Sequence, residues 1–387
     1  MKITGDQSLI KKMNKGHVLD CIVSGAPLSR ADISAKIGLN KASVSTLVNE
    51  WIEEQLVIET GLGQSSGGRK PVMLLFNNKG GYSVGVDLGV NYVAAVLTDL
   101  TGNVIKRVRL ALEARDADSV YESLRQAIRS VSAAAPPSPY GIVGIGVGVP
   151  GIVDESGTIL SAPNLGWRDV SLKEKLQSDF QTEVSVENEA NAGAVGEQKY
   201  GIGTDVPNLV YISAGIGIGS GIIMHGGIYR GAFGYSGELG HMTIQADNGL
   251  LCSCGNTGCW EMYASENALL REAKDAIGHA ATLESLMEAA ECGNEIAIRR
   301  FETVGYYLGT GIANVMNGFN PEMVVVGNRL SLAGKWIKPA LLQAVQRRSL
   351  RFHSKEVRIE FAALGTDSTA LGSASLAVSG FLQRIKG

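Results

Sequence analysis

The 387-residue sequence has no run of about 18 apolar residues, so no segment reads as a membrane-spanning helix. Its first residues are polar and lysine-rich, without the apolar stretch of a signal peptide, which predicts a soluble, cytoplasmic protein. No G-x-x-x-x-G-K-S/T motif occurs, and no clean strand-G-x-G-x-x-G-helix unit. The alternating Gly215, Gly217, Gly219 and Gly221 therefore signal close backbone packing as readily as a phosphate loop. Cysteine is scarce at five residues, three of them in one short stretch. Cys21 and Cys292 are left as separate thiols in a reducing compartment. Strong charge of one sign is also missing, the formal net being -3. Residues 1–76 carry nine Lys and Arg against seven Asp and Glu, and the rest carries 26 against 31. A mildly positive head on an acidic body fits nucleic-acid binding without compelling it. The length allows about two to three domains.

What is present is concentrated between Gly237 and Ser265. Cys252, Cys254 and Cys259 form C-x-C-x4-C, and His241 precedes the first of them by eleven positions. Three thiolates and one imidazole complete a tetrahedron with no open position, which predicts a structural zinc site. Metal-free thiols or a disulfide are the alternatives, but Cys252 and Cys254 are too close for an ordinary bridge. Glu238 and Glu261 flank this knot and would be presented rigidly by it.

The first 76 residues read as a small DNA-binding unit. Residues 8–24 predict a helix with Leu9, Met13, Leu19, Ile22 and Val23 on its apolar face. Ser29 stands as N-cap to a short second helix closed by Gly38. A third helix from Lys41 to about Gln55 places Val44, Leu47, Val48, Trp51 and Ile52 at buried-face spacing. Its other face offers Lys41, Ser43, Ser45, Thr46 and Asn49, small polar groups suited to the major groove. Strands at 56–60 and 72–76 enclose a glycine-rich loop, a candidate wing with Arg69 and Lys70 at its base. The candidate DNA-facing set is Ser29, Arg30, Lys41, Ser43, Ser45, Thr46, Asn49, Arg69 and Lys70. A helical domain with a hairpin and no nucleic-acid role is the alternative.

After the junction Asn77–Tyr82 the composition changes to glycine-spaced apolar strands. Three strands, a helix over 116–135, the buried run IVGIGVGVPGIVD, a helix over 171–180, a strand at 184–186 and a helix from Asn191 make the first half. LVYISAGIGIGSGIIM opens a second half on the same scheme, continuing to helices over 265–317, a strand at 323–328 and a closing helix from Ala370. Such doubling predicts two α/β lobes with a cleft between them. Asn164, Asn188, Glu189, Glu238, His241 and Glu261 then supply amides, carboxylates and an imidazole at that cleft. The set suits an uncharged ligand rich in hydroxyls, each of which wants a donor and an acceptor. Taken singly, each could be a cap or turn residue.

The motifs E-x-G-H and C-x-C-G-x-x-G-C-x-E, an E-N-E-A-N stretch upstream and a winged helix-turn-helix ahead of them resemble the ROK family of repressors and sugar kinases. The likeness is strongest to its xylose-repressor branch, on SRADISAKIGLNKASVS, GQSSGGRKPVMLLFN, VENEANAGAVGE and CSCGNTGCWEMYASE. It implies a winged helix-turn-helix over 1–76 and, over 82–387, a two-lobed actin-like or hexokinase-like domain with a zinc loop. It further implies zinc on His241, Cys252, Cys254 and Cys259, and sugar contacts from Asn164, Asn188, Glu189, Glu238, His241 and Glu261. A repressor released from a palindromic operator by D-xylose, acting as a homodimer or dimer of dimers, is the expectation. Glucose or N-acetylglucosamine as inducer, or an ATP-dependent sugar kinase, are the alternatives. Against the kinase, Glu189 stands where kinases of the family carry an aspartate base, and Asp87-Leu88-Gly89-Val90-Asn91 replaces their Asp-x-Gly-Gly-Thr phosphate loop. A base displaced by about an ångström loses on the order of a hundredfold in rate. No useful phosphorylation is expected.

Overall fold

The computed structural model describes residues 7–25, 27–62, 70–273 and 281–386. The head comprises α1 (Gln7–Val23), β1 (Leu28–Ser29), α2 (Arg30–Ile37), α3 (Lys41–Glu53), β2 (Val57–Leu62) and β3 (Val72–Phe76). The strands pair in the order β1-β3-β2, all antiparallel, so the predicted hairpin gains a two-residue third strand. Ser29 caps α2 through a reciprocal bond with Asp32, and Gly38 ends it at φ 71°, a left-handed backbone that glycine adopts without strain. Val44, Leu47, Val48 and Trp51 of α3 are buried as their spacing predicts.

One expectation for the head is corrected. Leu9, Met13 and Val23 of α1 are exposed at 48%, 55% and 38%, whereas Gly16, Val18, Leu19, Cys21 and Ile22 are buried. The buried residues of α1 all lie from Gly16 onward, while Lys11 in its first half pairs with Glu50 of α3 at 2.7 Å, so the apolar face is shorter than the sequence suggested.

The body holds two five-stranded sheets of identical plan. The first contains β4 (Tyr82–Leu88), β5 (Tyr92–Asp99), β6 (Val104–Ala111), β7 (Ile142–Val149) and, after the short strands β8 (Ile152–Val153), β9 (Ile159–Ala162) and β10 (Trp167–Val170), β11 (Val184–Asn188). The second contains β12 (Leu209–Ala214), β13 (Ile218–Met224), β14 (Gly227–Ile228), β15 (Met323–Gly327) and β16 (Arg358–Phe361). Strand orders β11-β7-β4-β5-β6 and β14-β13-β12-β15-β16 both place the first strand centrally. In each, the first three strands are antiparallel neighbours and the last two add in parallel. The small sheet β10-β9-β8 has no counterpart among the described residues of the second lobe.

Two helices connect the lobes. After α4 (Ala117–Ser132) and α5 (Leu172–Phe180) of the first lobe, α6 (Glu189–Tyr200) leaves β11 of the first sheet and leads to β12 of the second. It begins two residues before the predicted Asn191, because the Asn188 side chain caps it. The closing helix Ser368–Lys386 returns from β16 and lies across β4 and β7. Glycine spacing makes this crossing possible: a Cβ on Gly85 or Gly146 would stand 1.9 Å from the carbonyl oxygens of Ala370 and Ser373. Gly372 in turn faces α6, where a Cβ would meet the Ala192 carbonyl at 1.7 Å. The two helices therefore touch backbone to backbone. Buried Glu197 of α6 fastens them further, accepting from Ala363 N (3.2 Å), Leu364 N (3.1 Å) and Ser368 Oγ (2.7 Å) at the start of the closing helix.

Strand alternation sets the layers. Leu209 and Tyr211 of β12 face α6, while Val210, Ile212 and Ala214 face the long helix Glu295–Phe319. The head is not separate from this body. Its core of Val18, Leu19, Val44 and Trp51 continues into Val143, Val378 and Phe381. Tyr140 stacks edge-on against Phe381 at 5.1 Å and donates to Glu54 O at 2.8 Å.

Candidate functional site

The cleft between the lobes is lined by all six residues expected there: Asn164, Asn188, Glu189, Glu238, His241 and Glu261. They reach it from different elements. Asn164 sits exposed on the first-lobe turn between β9 and β10. Asn188 and Glu189 occupy the start of α6, and Glu238, His241 and Glu261 come from the cysteine-bearing stretch of the second lobe.

Asn188 is already engaged. Its Oδ1 accepts from Ala190 N (2.8 Å) and Asn191 N (3.2 Å), and its Nδ2 donates to Gly151 O (3.0 Å). These bonds hold the first turn of α6 to the first lobe. Thr369 Oγ1 donates to Glu189 O at 3.1 Å from the closing helix. Glu187, which the sequence did not single out, accepts from Asn191 Nδ2 (3.0 Å) and from Arg230 Nη2 (2.6 Å).

The carboxyls at the cleft floor are perturbed together. Burial, reinforced by the negative charges of Asp87 and Glu238, pushes Glu189 up to about 8. Asp87 is raised to about 6 by burial, against the downward pull of the Tyr92 hydroxyl and the Arg109 charge. Tyr92 donates to Asp87 Oδ2 at 2.7 Å, and the Arg109 guanidinium lies 3.7 Å from the Tyr92 ring centroid. The Tyr92 ring also covers Gly89, where a Cβ would meet it at 2.3 Å. Sequence reasoning missed this tyrosine, although it directly follows the altered Asp87–Asn91 loop. Glu238 is raised as well, chiefly by burial.

His241, Cys252, Cys254 and Cys259 offer ligand atoms that all lie within 4.8 Å of one another. The Cys254 and Cys259 sulfurs are 3.7 Å apart. Tetrahedral sites with metal–sulfur bonds of about 2.3 Å need sulfurs roughly 3.8 Å apart, so the donor set fits a metal ion. His241 turns Nδ1 toward Cys252 Sγ (3.5 Å) and Nε2 toward Glu238 Oε2 (4.0 Å). One imidazole thus borders both the cysteines and the cleft. Glu261 follows Cys259 by two residues, and its Oε1 accepts from the Cys252 thiol at 3.0 Å. Between them, Trp260 is fully buried and anchors the stretch by donating Nε1–H to Tyr307 O at 2.8 Å.

In the head, Lys41, Thr46 and Asn49 are exposed, while Ser43 and Ser45 are partly so. Arg30 joins this face, pairing with Glu59 Oε1 (3.0 Å) and donating to Asn49 Oδ1 (2.9 Å). Ser29 is corrected: it is 4% exposed and its hydroxyl is 2.8 Å from Asp32 Oδ2, so the cap consumes it. Lys70 is exposed, and Arg69 lies outside the described residues.

Duplicated sheets, crossing helices and a polar interlobe cleft beside a cysteine–histidine cluster define a two-lobed α/β protein of the actin-like or hexokinase-like kind. Within that class the ROK family model matches residues 83–379, and the chain belongs to the ROK family. The xylose repressor of Bacillus spizizenii is 40% identical over 381 residues, covering 98% of this chain and 99% of that protein. Among solved structures, a ROK family transcriptional regulator homologous to the E. coli MLC protein superposes with TM-score 0.82 at 30% identity, over 97% of this chain and 98% of that one. A ROK glucokinase from Streptomyces griseus, in complex with glucose and AMPPNP, reaches TM-score 0.72 at 30% identity and covers all of itself but 77% of this chain. Similarity to repressors therefore runs through the head, and similarity to kinases does not extend over the full chain. No helix among the described residues is long and apolar enough to cross a membrane.

Proposed function

We propose that this protein is a sugar-responsive transcriptional repressor whose head binds a palindromic operator as a homodimer and whose cleft binds D-xylose as inducer. The observation that carries the reading is the full-length similarity to a xylose repressor, head included. The six polar residues gathered in one cleft support the sugar. The exposed lysine, hydroxyl and amide groups of α3 support the DNA. Glu189 in place of an aspartate base, and Tyr92 folded over the Asp87–Asn91 loop, support ligand sensing without phosphoryl transfer.

The cluster of His241, Cys252, Cys254 and Cys259 would hold zinc. With four protein donors the ion supplies rigidity and no open coordination position. That rigidity would fix Glu238 and Glu261 at one wall of the cleft.

A sugar touching Asn164 on one side and Glu238, His241 and Glu261 on the other favours one lobe arrangement over another. Lobe rearrangement must pass through α6 and the closing helix, which are joined by Glu197 and by backbone contact at Gly372. The far end of the closing helix lies in the head's core. A change at the cleft is thereby converted into a change in head position, and in a dimer into a change of half-site spacing. Reversing a 99:1 preference requires about 5.5 kcal/mol of differential binding, which demands several hydroxyl contacts acting together.

The test is fluorescence anisotropy on operator DNA selected from random duplexes, at fixed salt, with D-xylose, D-glucose and N-acetylglucosamine titrated in turn. Release by D-xylose, lost in Glu261→Ala, is expected. Turnover of ATP and sugar above about one per second would establish a kinase instead.

A further inference from the structure

We propose that Arg230 and Glu187 form a latch between the lobes that stabilises the same lobe arrangement as the sugar does, and so sets how much sugar is needed to release the operator. The inference rests on the reading of this chain as a sugar-responsive repressor. It names two residues, neither of them lining the cleft, that regulate the response.

The two side chains belong to different lobes. Glu187 lies on β11, the edge strand of the first sheet, and Arg230 follows β14, the edge strand of the second. Arg230 Nη2 reaches Glu187 Oε2 at 2.6 Å. Ion pairs such as Arg125 with Asp179 and Arg329 with Glu266, by contrast, stay within one lobe. Glu187 is committed at its other oxygen as well, where Oε1 accepts from Asn191 Nδ2 (3.0 Å) and Asn188 N (3.1 Å) at the start of α6. Its side chain is only 14% exposed, so water does little to replace the guanidinium if the pair parts.

Arg230 sits on a loop pinned to the second lobe. Tyr229 N donates to Ile222 O of β13 (2.8 Å), Ser236 N donates back to Arg230 O (3.2 Å), and the Ser236 hydroxyl donates to Tyr229 O. Where the loop ends, Gly237 stands at φ 93°, a backbone that favours glycine, and the Ser220 hydroxyl of β13 donates to its carbonyl. The next residue is Glu238 of the cleft wall. Arg230 therefore moves with the second lobe and its wall, while Glu187 moves with the first. The pair persists only while the lobes keep this approach.

The direction follows from the proposed function. A sugar that touches Asn164 of the first lobe and Glu238, His241 and Glu261 of the second draws the lobes together, and the Arg230–Glu187 pair does the same without touching the sugar. Losing the latch leaves the sugar to overcome a larger preference for the operator-binding arrangement.

The experiment uses the full chain with operator DNA and D-xylose. It compares wild type with Arg230→Met, Glu187→Gln and the double variant by anisotropy, with calorimetry of D-xylose binding without DNA and melting of each variant alongside. Each single variant should raise both the half-release concentration and the dissociation constant for D-xylose by about fivefold, the size of a partly exposed ion pair. The double variant should be no worse than either single one, because the two residues make one contact. Operator affinity without sugar should stay within about twofold of wild type, since the operator-binding arrangement already dominates, whereas a merely damaged protein would lose it. An unchanged or lowered half-release concentration in either single variant, or an effect of about 25-fold in the double variant, overturns this inference while leaving the repressor reading intact. Wild type that neither binds D-xylose nor releases operator on its addition overturns the xylose-repressor reading, and this inference with it.

Discussion

Gly16 of the first helix and Lys386 near the end of the chain are in direct contact: a Cβ placed on Gly16 would lie 3.5 Å from the Cβ of Lys386. Lys386 also pairs with Asp20 one turn further along the same helix. The head thus rides on the closing helix through apolar packing at Val378 and Phe381 and through a polar clasp at its end. A Cβ separation of about 3.5–4.5 Å suits a disulfide. The double variant Gly16→Cys, Lys386→Cys should therefore oxidise spontaneously, as shown by gel mobility with and without reductant. If the head moves together with the closing helix, the crosslinked protein still releases DNA when sugar is added. An oxidised protein that binds operator but ignores sugar, regaining its response on reduction, would place the moving joint between α1 and the closing helix instead.

The cysteine cluster leads to a second expectation. Cys254 is exposed and touches the cleft only through the loop it helps to hold. One zinc per chain should be found by elemental analysis of protein purified without added metal. Replacing Cys254 by Ser should lower that content and weaken sugar binding, since the metal-held loop carries Glu238 and Glu261 at the cleft wall. A metal-free variant with wild-type sugar affinity would separate the cluster from the cleft.

These expectations show unevenly what a sequence discloses. C-x-C-x4-C is legible because its donors are adjacent in the chain, and the doubled lobes are legible because strand alternation and glycine spacing are local patterns. For Gly215, Gly217, Gly219 and Gly221 the sequence leaves phosphate binding and close packing open, and it singles out no contact for the glycines of the first lobe. Gly85, Gly146 and Gly372 prove to be where two helices and a sheet meet, a relationship between residues far apart in the chain. No local periodicity records that approach. The same holds for Phe381 entering the core of the head. Leu9 and Met13 illustrate the converse: helical spacing marked them as core, yet nothing among the described residues buries them. Periodicity reports which face of a helix is apolar, not how much of its length finds a neighbour.

The cleft carboxyls predict a pH dependence of definite sign. Folding raises Glu189 to about 8 and Asp87 to about 6, from ordinary values of 4.5 and 3.8. The folded state then holds protons that the unfolded chain would release. Their stabilising contribution is complete below the ordinary carboxyl range and is lost as pH rises, through about 6 for Asp87 and about 8 for Glu189. Sugar-free protein should become easier to unfold with urea between about pH 5 and pH 8. Glu189→Gln removes one titrating group, so the wild-type curve should fall more steeply than that of the variant. Parallel curves would mean that Glu189 is not buried as an acid in solution.

Two substitutions in the head separate folding from recognition. Ser29 spends its hydroxyl on the α2 cap, with Asp32 N at 3.2 Å and Asp32 Oδ2 at 2.8 Å. Ser29→Ala should cost about 1 kcal/mol of stability. Because the hydroxyl is buried, the slope of log binding constant against log salt should not change. Lys41 opens α3, is exposed, and follows the Asn40 cap, so it bears little of the fold. Lys41→Ala should leave stability within about 0.5 kcal/mol. If Lys41 neutralises one phosphate, the same variant should make the salt slope shallower by about 0.9. Measuring both variants by urea unfolding and by operator titration at several salt concentrations distinguishes the two roles. A salt slope altered by Ser29→Ala but untouched by Lys41→Ala would mean that α3 does not present this face to DNA.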